Sequence, residues 1–264
     1  MTIIKQQGNQ IRYLRPLMEE FAHDKVVPFK KSELQKKDQV AKMFDSIAHK
    51  YDFLNRFLSV GIDVWWRKKA IAQLKSLKPK HVLDVATGTG DVAILTYNIL
   101  KPEKITGIDI SEGMLEVGRK KIAEKGLSKS IELLSGDSET INFADNTFDA
   151  ITVAFGVRNF QNLPKGLKEM NRVLKPGGKL VVLEFSRPHN FLFKGVYNFY
   201  MKVLAPGFGK LFAKNKDAYT YLNNSVQAFP ERDQFTNILK NAGYSNTYYK
   251  TLSLGICSIY CGSK

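Results

Sequence analysis

The residues whose types and spacing first suggest chemistry are two glycines in a turn and an aspartate farther along the chain. The stretch VLDVATGTGD (82–91) has the pattern of a buried strand that leads through Gly88 and Gly90 into a helix. Glycine has no Cβ, so these positions let the backbone turn tightly and approach a ligand. Asp109 ends the next strand, 19 residues after Gly90, where a carboxylate can accept hydrogen bonds from both hydroxyls of a ribose.

The residues around this turn distinguish between two kinds of cofactor. The sequence GTGD differs from the GxGxxG of dinucleotide-binding proteins, and the following helix opens with Asp91. The charge of Asp91 is expected to repel a pyrophosphate at that helix end. A ligand with a ribose and an adenine but no phosphate fits better, and S-adenosylmethionine is such a ligand. A structural strand, turn and helix with no cofactor is the alternative.

A second group of residues follows the third predicted strand. The sequence LSGDSE places Asp137 and Ser138 where they suit a hydrogen bond to an adenine amino group, with Ile110 and Met114 as candidate apolar walls. An aspartate after a strand is more often a turn residue. The prediction of an adenine site therefore depends on the combination of these residues with Asp109.

Two polar residues stand where the fourth predicted strand ends. The stretch AFGVRNF (154–160) continues an apolar strand, FDAITVAF (148–155), and then places Arg158 and Asn159. Arginine and asparagine are seldom buried without partners. We expect both to face a substrate beside the cofactor, with Gly156 allowing the backbone to bend there.

The elements that would position these residues alternate between strands and helices. Short apolar strands are predicted at 81–86, 104–109, 131–136, 148–155 and 179–185, with helices at 91–100, 112–125 and 163–174. Strands separated by helices in this way indicate βαβ units and a parallel sheet. A helix at 231–241 precedes two strands, 243–250 and 254–261, which are expected to pair antiparallel. The sequence therefore predicts a doubly wound α/β fold with a mostly parallel seven-stranded sheet and an antiparallel last strand.

Around this core the sequence predicts additions to a single domain of residues 39–264. The predicted parts are a flexible basic arm (1–38), a helical cap (39–80), the cofactor-binding core (81–185), a cap insert (186–229), and a last helix with a strand pair (230–264). The insert concentrates Phe, Tyr and Lys. We expect it to accept an apolar part of the substrate or to contact a membrane surface. A hydrophobic cap that completes the core is the alternative.

The charge of the chain is high and uneven. The net charge is +15 over 264 residues, with 17 Lys and Arg against 8 Asp and Glu in 1–80, 13 against 14 in 81–184 and 10 against 3 in 185–264. Basic flanks suit an anionic surface such as nucleic acid or a bilayer, or are a generically basic exterior. No apolar run reaches the length of a membrane span, and the N-terminus lacks an export signal. With Cys257 and Cys261 expected to be reduced, these features predict a cytoplasmic protein.

Several stretches together resemble class I S-adenosylmethionine-dependent methyltransferases. They are the D-x-x-x-G-x-G of 84–90, DISEGML (109–115), INFADNTFDAI (141–151) and VLKPGGKLVVLEF (173–185). MFDSIAHKYDFLNRFLSVGIDVWWRK (43–68) and ITVAFGVRNF (151–160) are similar to the UbiE/MenG family of ubiquinone and menaquinone biosynthesis C-methyltransferases. The resemblance runs from about Val40 to the C-terminus. It implies methylation of a ring carbon on a prenylated hydroquinone, with demethylmenaquinol favoured over its ubiquinone-pathway counterpart.

The predicted cofactor-binding residues combine this resemblance with the patterns above. They are Asp84, Gly88, Thr89, Gly90, Asp109, Ile110, Asp137 and Ser138. The resemblance implies the contacts of Thr89, Asp109 and the Asp137–Ser138 pair. The chain departs from the family at two positions, because Ala154 stands where the family commonly has Ser and Thr87 replaces the first glycine of an AGGTG turn. The first change removes a hydroxyl contact, and the second is expected to stiffen the turn.

Carbon methylation of a hydroquinone requires a phenolate, whose ortho carbon carries the electron density that attacks the methyl group. The enzyme must hold that carbon and the methyl group about 3–3.5 Å apart and stabilise the developing charge. Arg158 is too basic to accept a proton, so we predict that it lowers the pKa of the quinol and, with Asn159, holds the phenolate. Tyr51 and Asp52 from the helical cap are predicted to close over the site and to position or accept the proton. Core packing is the alternative for Tyr51.

The predicted partners are the prenylated demethylquinol and, transiently, the inner face of the cytoplasmic membrane. No metal and no nucleic acid are expected, and the oligomeric state stays open, a homodimer included. A methyltransferase acting on RNA is the main rival, which the charge and aromatic flanks would suit. The sequence carries no recognisable RNA-binding module and no NPPY-type tetrapeptide. A binding protein without activity is disfavoured by the intact Asp109, Gly88 and Arg158.

Overall fold

The computed structural model describes residues 21–188 and 216–264, which form a seven-stranded sheet with helices on both faces. The α-helices described are α1 (Lys36–Leu58), α2 (Ile62–Ile71), α3 (Asp91–Leu100), α4 (Glu112–Glu124), α5 (Leu163–Val173), α6 (Lys216–Ala228) and α7 (Asp233–Asn241). The strands are β1 (His81–Val85), β2 (Lys104–Asp109), β3 (Ile131–Ser135), β4 (Phe148–Ala154), β5 (Leu174–Phe185), β6 (Ser245–Leu252) and β7 (Cys257–Ser263).

The strands lie side by side in the order β3-β2-β1-β4-β5-β7-β6. Neighbouring strands from β3 to β5 are parallel, and β7 is antiparallel to both β5 and β6. The predicted doubly wound sheet with an antiparallel last strand is confirmed. The strand order reverses between β1 and β4, and open α/β sheets bind ligands at the carboxyl ends of strands beside such a reversal.

Alternate residues of the central strands belong to two separate cores. Leu83 of β1 is fully buried among apolar residues of α5 and α7 on one face of the sheet. Val82, its neighbour, is fully buried on the other face with apolar residues of α2, α3 and α4. Cys257 and Cys261 lie in this second core as free thiols, on one face of β7. Burial of a side chain such as Leu83 stabilises the fold by about 1.5–3 kcal/mol, so both layers hold the sheet in place.

Local side-chain bonds fix where the core helices begin. Ser111 precedes α4 and accepts a hydrogen bond from the N–H of Met114, and Asn162 does the same for Lys165 at the start of α5. Such caps contribute about 1 kcal/mol each, because they satisfy N–H groups that have no partner within the helix. Both helices start within one residue of the predicted position.

The PGG sequence (176–178) lies inside β5 and not in front of it. Leu174 directly follows α5 and pairs with Phe148, after which the register shifts so that Lys179 pairs with Ala150. Gly177 has a φ of +78°, which glycine adopts without strain. The predicted start of this strand at 179 is therefore five residues late, because the glycines form a bulge within a longer strand.

Residues 21–38, part of the predicted flexible arm, pack on the domain. His23 is fully buried beside the ring of Phe229, and Nζ of Lys36 donates to the carbonyl of His23 at 2.7 Å. Burial, together with the charge of Lys36, lowers the pKa of His23 to about 3. The lysine-rich composition predicts exposure, but Lys36 finds a carbonyl acceptor inside the fold. Residues 1–20 lie outside the described residues.

Part of the predicted insert also lies outside the described residues, namely 189–215, with the aromatic stretch FLFKGVYNFYMKVLAPGFGKLF (191–212). The insert continues with α6, where Tyr221 packs with Val40 and Met43 of α1. Among the helices of the described chain, none combines the length and the apolar character needed to cross a bilayer.

Candidate active site

A cleft of about 660 Å³ lies at the carboxyl ends of the central strands and beneath α1. The predicted site residues that line it are Tyr51, Gly88, Asp109, Ile110, Asp137, Ser138 and Asn159. The predicted site residues that lie outside its lining are Asp52, Asp84, Thr89, Gly90 and Arg158. The structure therefore brings seven of the predicted residues to one cleft and places the other five outside its lining.

The glycine-rich turn and Asp109 form one side of the cleft. Gly88 has a φ of +55°, and a Cβ there would lie 3.2 Å from Cε of Met114, another lining residue. Asp109 accepts the N–H of Gly88 at 2.8 Å through Oδ2 and that of Ser111 at 2.9 Å through Oδ1. A carboxylate has about four lone-pair positions, and the backbone N–H of Ile110 also interacts with this one, so the remaining acceptor capacity is left for ligand hydroxyls. Burial raises the pKa of Asp109.

Asp84 supports the turn from the interior of the sheet. Its buried carboxylate accepts hydrogen bonds from Oγ1 of Thr87 and Oγ1 of Thr152, both at 2.6 Å. Burial raises the pKa of Asp84 to about 6, although the two hydroxyls oppose that rise. Thr87, the departure from the AGGTG turn, thus makes a hydrogen bond that a glycine could not make. Asp84 holds the turn in shape without lining the cleft.

Thr89 and Asp52 connect the helical cap to the glycine-rich turn. Oγ1 of Thr89 donates to Oδ1 of Asp52 at 2.5 Å, and Oδ2 of Asp52 accepts from Nζ of Lys121 on α4 at 2.5 Å. Both carboxylate oxygens are therefore engaged with the turn and with α4. This arrangement fixes α1 over the cofactor side of the cleft.

Asp91, at the start of α3, is surrounded by cations. Its Oδ2 accepts from Arg67 at 3.0 Å and Arg56 at 3.1 Å, and its Oδ1 accepts from Lys121 at 2.8 Å. Burial opposes the shift, but Lys121, Arg67 and Arg56 lower the pKa of Asp91. The expected repulsion of a pyrophosphate is not supported, because these three cations compensate the charge. The case against a dinucleotide depends instead on the GTGD sequence.

The opposite wall of the cofactor side comes from the loop after β3. Oδ1 of Asp137 accepts the N–H of Glu139 at 2.9 Å, which closes a turn, and Oδ2 accepts from Nζ of Lys37 at 3.1 Å. Ser138 and Ile110 line the same part of the cleft. Asp137 is therefore both a turn residue and a lining residue, and Lys37 brings α1 to this wall.

Asn159 lies in the lining of the other end of the cleft. Its Oδ1 accepts from the hydroxyl of Tyr221 at 3.1 Å, and its Nδ2 donates to the carbonyl of Phe155 at 3.4 Å. Burial raises the pKa of Tyr221, which keeps its hydroxyl proton for this bond. The amide nitrogen carries two protons, and the bond to Phe155 engages one of them.

Arg158 is 5% exposed and is not among the residues that line the cleft. Its Nη1 donates to Oε1 of Glu184 at 2.9 Å and to the carbonyl of Phe155, and its guanidinium lies 5.6 Å from the ring centroid of Phe185. Its Nε has no hydrogen-bond partner among the described residues. Glu184 is fully buried, and burial raises its pKa while Arg158 opposes the rise. The cation that was expected to face the substrate is thus paired with Glu184, and its charge opposes the rise in the pKa of Tyr51, which lines the cleft. Its contact with a substrate stays a prediction.

Tyr51 of α1 lines the cleft opposite the fourth strand. Its ring meets that of Phe44 edge to face, with centroids 5.8 Å apart, and both residues line the cleft. Burial raises the pKa of Tyr51, although Asn55 opposes the rise through a hydrogen bond. A tyrosine with a raised pKa keeps its proton at neutral pH and can donate a hydrogen bond. Tyr51 therefore packs against Phe44 and also lines the cleft, and its role in catalysis stays a prediction.

Sequence reasoning missed three residues of this site. Glu184 interrupts the apolar run VVLEF, and a carboxylate in a buried strand signals a paired cation. Lys37 belongs to a lysine-rich stretch that indicates a solvated arm, so no local signal distinguishes it. Tyr221 follows the undescribed part of the insert by a few residues, and only the tertiary structure brings it to Asn159.

The chain matches the model of the ubiE/COQ5 methyltransferase family over residues 31–264. It is 47% identical over 244 residues to a protein of Bacteroides fragilis named demethylmenaquinone methyltransferase, an alignment that covers 92% of this chain and 99% of the relative. It is also 47% identical over 231 residues to a Geotalea daltonii protein named ubiquinone/menaquinone biosynthesis C-methyltransferase UbiE, with 87% and 98% covered.

The fold is shared with a crystal structure of a Thermotoga maritima protein described as a SAM-dependent methyltransferase, possible histamine N-methyltransferase. The TM-score is 0.59 at 22% identity, and the alignment covers 84% of this chain and 99% of the other. A likeness at this identity shows the class I methyltransferase architecture.

Proposed function

Since the chain belongs to the ubiE/COQ5 methyltransferase family, we propose that it transfers the methyl group of S-adenosyl-L-methionine to a ring carbon of a demethylmenaquinol. The chain is a methyltransferase of the S-adenosylmethionine-dependent fold. The observation that carries the substrate proposal is that one cleft joins a nucleoside-type site at Asp109 to hydrogen-bond donors at Asn159 and Tyr51. The name of the Bacteroides fragilis relative favours the naphthoquinol ring.

The described residues fit S-adenosylmethionine at the first part of the cleft. We propose that Asp109 accepts both ribose hydroxyls with its remaining acceptor capacity, while the missing Cβ of Gly88 leaves room beside Met114. Ile110 would pack on the adenine, with Asp137 and Ser138 at the amino group. The bound cofactor supplies an electrophilic methyl group on a sulfonium.

The second part of the cleft supplies donors suited to a phenolate. Asn159 has a second amide proton besides the one bonded to Phe155, and Tyr51 keeps its hydroxyl proton because burial raises its pKa. Both can donate to the oxygen that carries the developing charge, and a donor fixed in advance contributes more than one that must reorganise. The quinol hydroxyl would lose its proton to water, and the ortho carbon would form the new C–C bond as the bond between the methyl group and sulfur breaks, with the neutral thioether as the leaving group. The ring proton would then pass to water, which restores aromaticity, and the phenolate oxygen would regain a proton from water.

Arg158 acts on this chemistry through its neighbours. Its bonds to Phe155 and Glu184 hold the loop that presents Asn159. We therefore assign Arg158 and Glu184 as positioning residues and Asn159 as the residue that touches the substrate oxygen. Asp52 is likewise assigned as a positioning residue, because it holds Thr89 and α1 in place.

The prenyl tail of such a substrate requires an apolar path and access to a bilayer. The aromatic and lysine-rich sequence 191–212 suits that role, and we propose a peripheral contact with a membrane surface on the basis of its composition and the basic flanks of the chain.

The test is methyl transfer from labelled S-adenosylmethionine to two short-chain demethylquinols, one naphthoquinol and one benzoquinol, assayed side by side with transfer RNA. We expect turnover on the naphthoquinol to exceed that on the benzoquinol by about tenfold or more. Asp109→Ala serves as the inactive control, and we expect its affinity for the cofactor to fall by about 100-fold, because two charge-assisted hydrogen bonds are lost. Equal or greater turnover on the benzoquinol would make that ring the substrate. Transfer to RNA without transfer to either quinol would overturn the proposal.

A further inference from the structure

The corner between α1 and α2 exposes a group of large apolar side chains. We name this group the α1–α2 tip, and its residues are Phe53 (62% exposed), Phe57 (44%), Val60 (85%), Ile62 (40%) and Trp65 (44%). Phe53 and Phe57 are one turn apart on α1 with rings stacked at 5.9 Å, and Ile62 and Trp65 are one turn apart on α2. The two pairs lie on the two helices that meet at the corner, and Val60 lies between them in the chain.

The backbone of the tip adds a second, independent observation. Val60 has a φ of +52°, a left-handed conformation that is an outlier for a β-branched residue. Packing in the described fold does not offset this strain, because the Val60 side chain is the most exposed of the tip. A strained, exposed valine at an apolar corner indicates a contact that forms only with another molecule or surface.

Lysines lie on both sides of the tip. Lys50 is exposed three residues before Phe53 on the same face of α1. Lys68 and Lys69 are exposed on α2 beyond Trp65, and Nζ of Lys69 lies 5.5 Å from the Trp65 ring. The acidic residues of the corner are engaged elsewhere, as Asp63 is buried between Arg56 and Arg67. The tip is thus an apolar centre with a cationic rim.

We propose that the α1–α2 tip inserts into the interface of an anionic lipid bilayer. Aromatic side chains with flanking lysines suit the boundary between acyl chains and negatively charged headgroups. A second copy of this chain fits less well, because a two-fold contact would bring identical lysine rims together in a protein of net charge +15.

The tip and the cleft lie on the same side of the domain. Helix α1 carries Tyr51 on its cleft face and Phe53 on the opposite, exposed face. Nε1 of Trp66 donates to Ser253 at 2.8 Å, in the turn that leads into β7. Because Cys257 pairs with Phe185, that turn lies at the carboxyl end of β5, on the edge of the sheet where the cleft opens. Docking through the tip would bring the cleft close to the bilayer, a benefit that rests on the proposed function.

The test uses the full chain and vesicles with and without phosphatidylglycerol in phosphatidylcholine. The chain has two tryptophans, of which Trp66 is buried and Trp65 is exposed. A blue shift of the tryptophan fluorescence and its quenching by brominated lipid therefore report on Trp65. We expect the double variant F57S/W65S to bind anionic vesicles at least about tenfold more weakly in sedimentation. For K68E/K69E, the affinity for anionic vesicles is expected to fall by about fivefold per lysine, with no change on neutral vesicles. K120E/K125E, at Lys120 of α4 and at Lys125 directly after it, makes the same charge change away from the tip and is expected to bind normally.

Three results would overturn this inference. Unchanged binding of F57S/W65S would place membrane contact elsewhere, with 189–215 the first alternative. If K120E/K125E binds anionic vesicles as weakly as K68E/K69E does, the attraction to the bilayer comes from the overall charge of the chain and not from the tip. A wild-type dimer that F57S/W65S converts to a monomer, without vesicle binding by either, would make the tip a self-association surface. Turnover of F57S/W65S on a short-chain quinol is expected to stay normal. If the proposed function is wrong, neither the wild type nor F57S/W65S will methylate the quinol, and the vesicle result will still decide whether the tip binds a bilayer.

Discussion

The two halves of the cleft, which we assign to the cofactor and to the substrate, are built in different ways. The cofactor half uses residues close together in the chain or on adjacent strands, with Asp84, Thr87 and Asp109 held by bonds of 2.6–2.9 Å. The substrate half brings Arg158 to Glu184 and Asn159 to Tyr221, pairs that are 26 and 62 residues apart. The bonds of Asp84 and Asp109 therefore form within and beside the central strands, while the substrate half joins a loop to β5 and to α6.

This difference has a functional consequence. In the proposed function, the cofactor half binds through the carboxylate of Asp109, which the backbone N–H groups of Gly88 and Ser111 hold in place. Any chain with the same turn can provide such an arrangement. The substrate half depends on a buried ion pair and a tyrosine that together fix one amide side chain. A buried pair loses much more when one partner is removed than an exposed pair does. Substitutions in the substrate half should therefore affect stability or turnover, with little effect on cofactor affinity.

The largest expected effect is that of Glu184→Gln, which keeps the side-chain volume and removes the charge. Arg158 stays protonated and would be buried without a carboxylate, so we expect the free energy of unfolding to fall by about 3–5 kcal/mol in denaturant titrations. Glu112→Gln removes the carboxylate of an exposed pair with Arg119 and is expected to change stability far less. Equal losses in the two variants would contradict the difference between the halves.

The cofactor half is expected to change how the free energy of unfolding depends on pH. The pKa of Asp84 is about 6 in the folded protein, above the ordinary 3.8, so the folded state holds a proton that the unfolded chain releases between these values. The stability that Asp84 contributes is thus present below about pH 4 and lost as the pH rises to 6, by about 3 kcal/mol. We expect Asp84→Asn to gain this amount relative to wild type between pH 4 and pH 7. Asp149→Asn should show the opposite trend, because Asp149 has a lowered pKa.

Arg158→Lys tests whether the substrate half governs turnover. Lysine can pair with Glu184, but it cannot reproduce the planar guanidinium that also bonds the carbonyl of Phe155. We expect turnover to fall by about tenfold or more, with the dissociation constant of S-adenosylmethionine within about threefold of wild type. Arg56→Lys makes the same change in a residue that bridges Asp63 and Asp91, and its turnover is expected to stay near normal. Near-normal turnover of Arg158→Lys would remove its positioning role.

The smallest expected effect is that of Ala154→Ser, which restores the residue common in the family. Ala154 lines the cleft between the two halves, so the new hydroxyl could reach either ligand. A single neutral hydrogen bond contributes about 1 kcal/mol, and we expect affinity and turnover to change by no more than about fivefold in titration and rate measurements. A gain of tenfold or more would show that the present alanine limits the enzyme.

The sequence predicts the cofactor half well because its signals are local. Gly88, Gly90 and Asp109 follow strands at fixed spacing, and parallel strands align their carboxyl ends at one edge. The substrate half is predicted only in part. The sequence AFGVRNF marks the right loop, but alternation along a turn cannot show that Asn159 faces the cleft while Arg158 points to Glu184.

The sequence by itself determines the strand–helix alternation, the sheet, the glycine-rich turn and the position of the site. These features depend on apolar periodicity and on the conformational freedom of glycine, which are properties of short segments. The tertiary structure decides which polar residues touch the cleft, because burial and pairing depend on residues far away in the chain. Lys36 and Lys37, adjacent in a stretch that reads as a solvated arm, show this most clearly. One is buried against the carbonyl of His23, and the other binds Asp137 at the cleft.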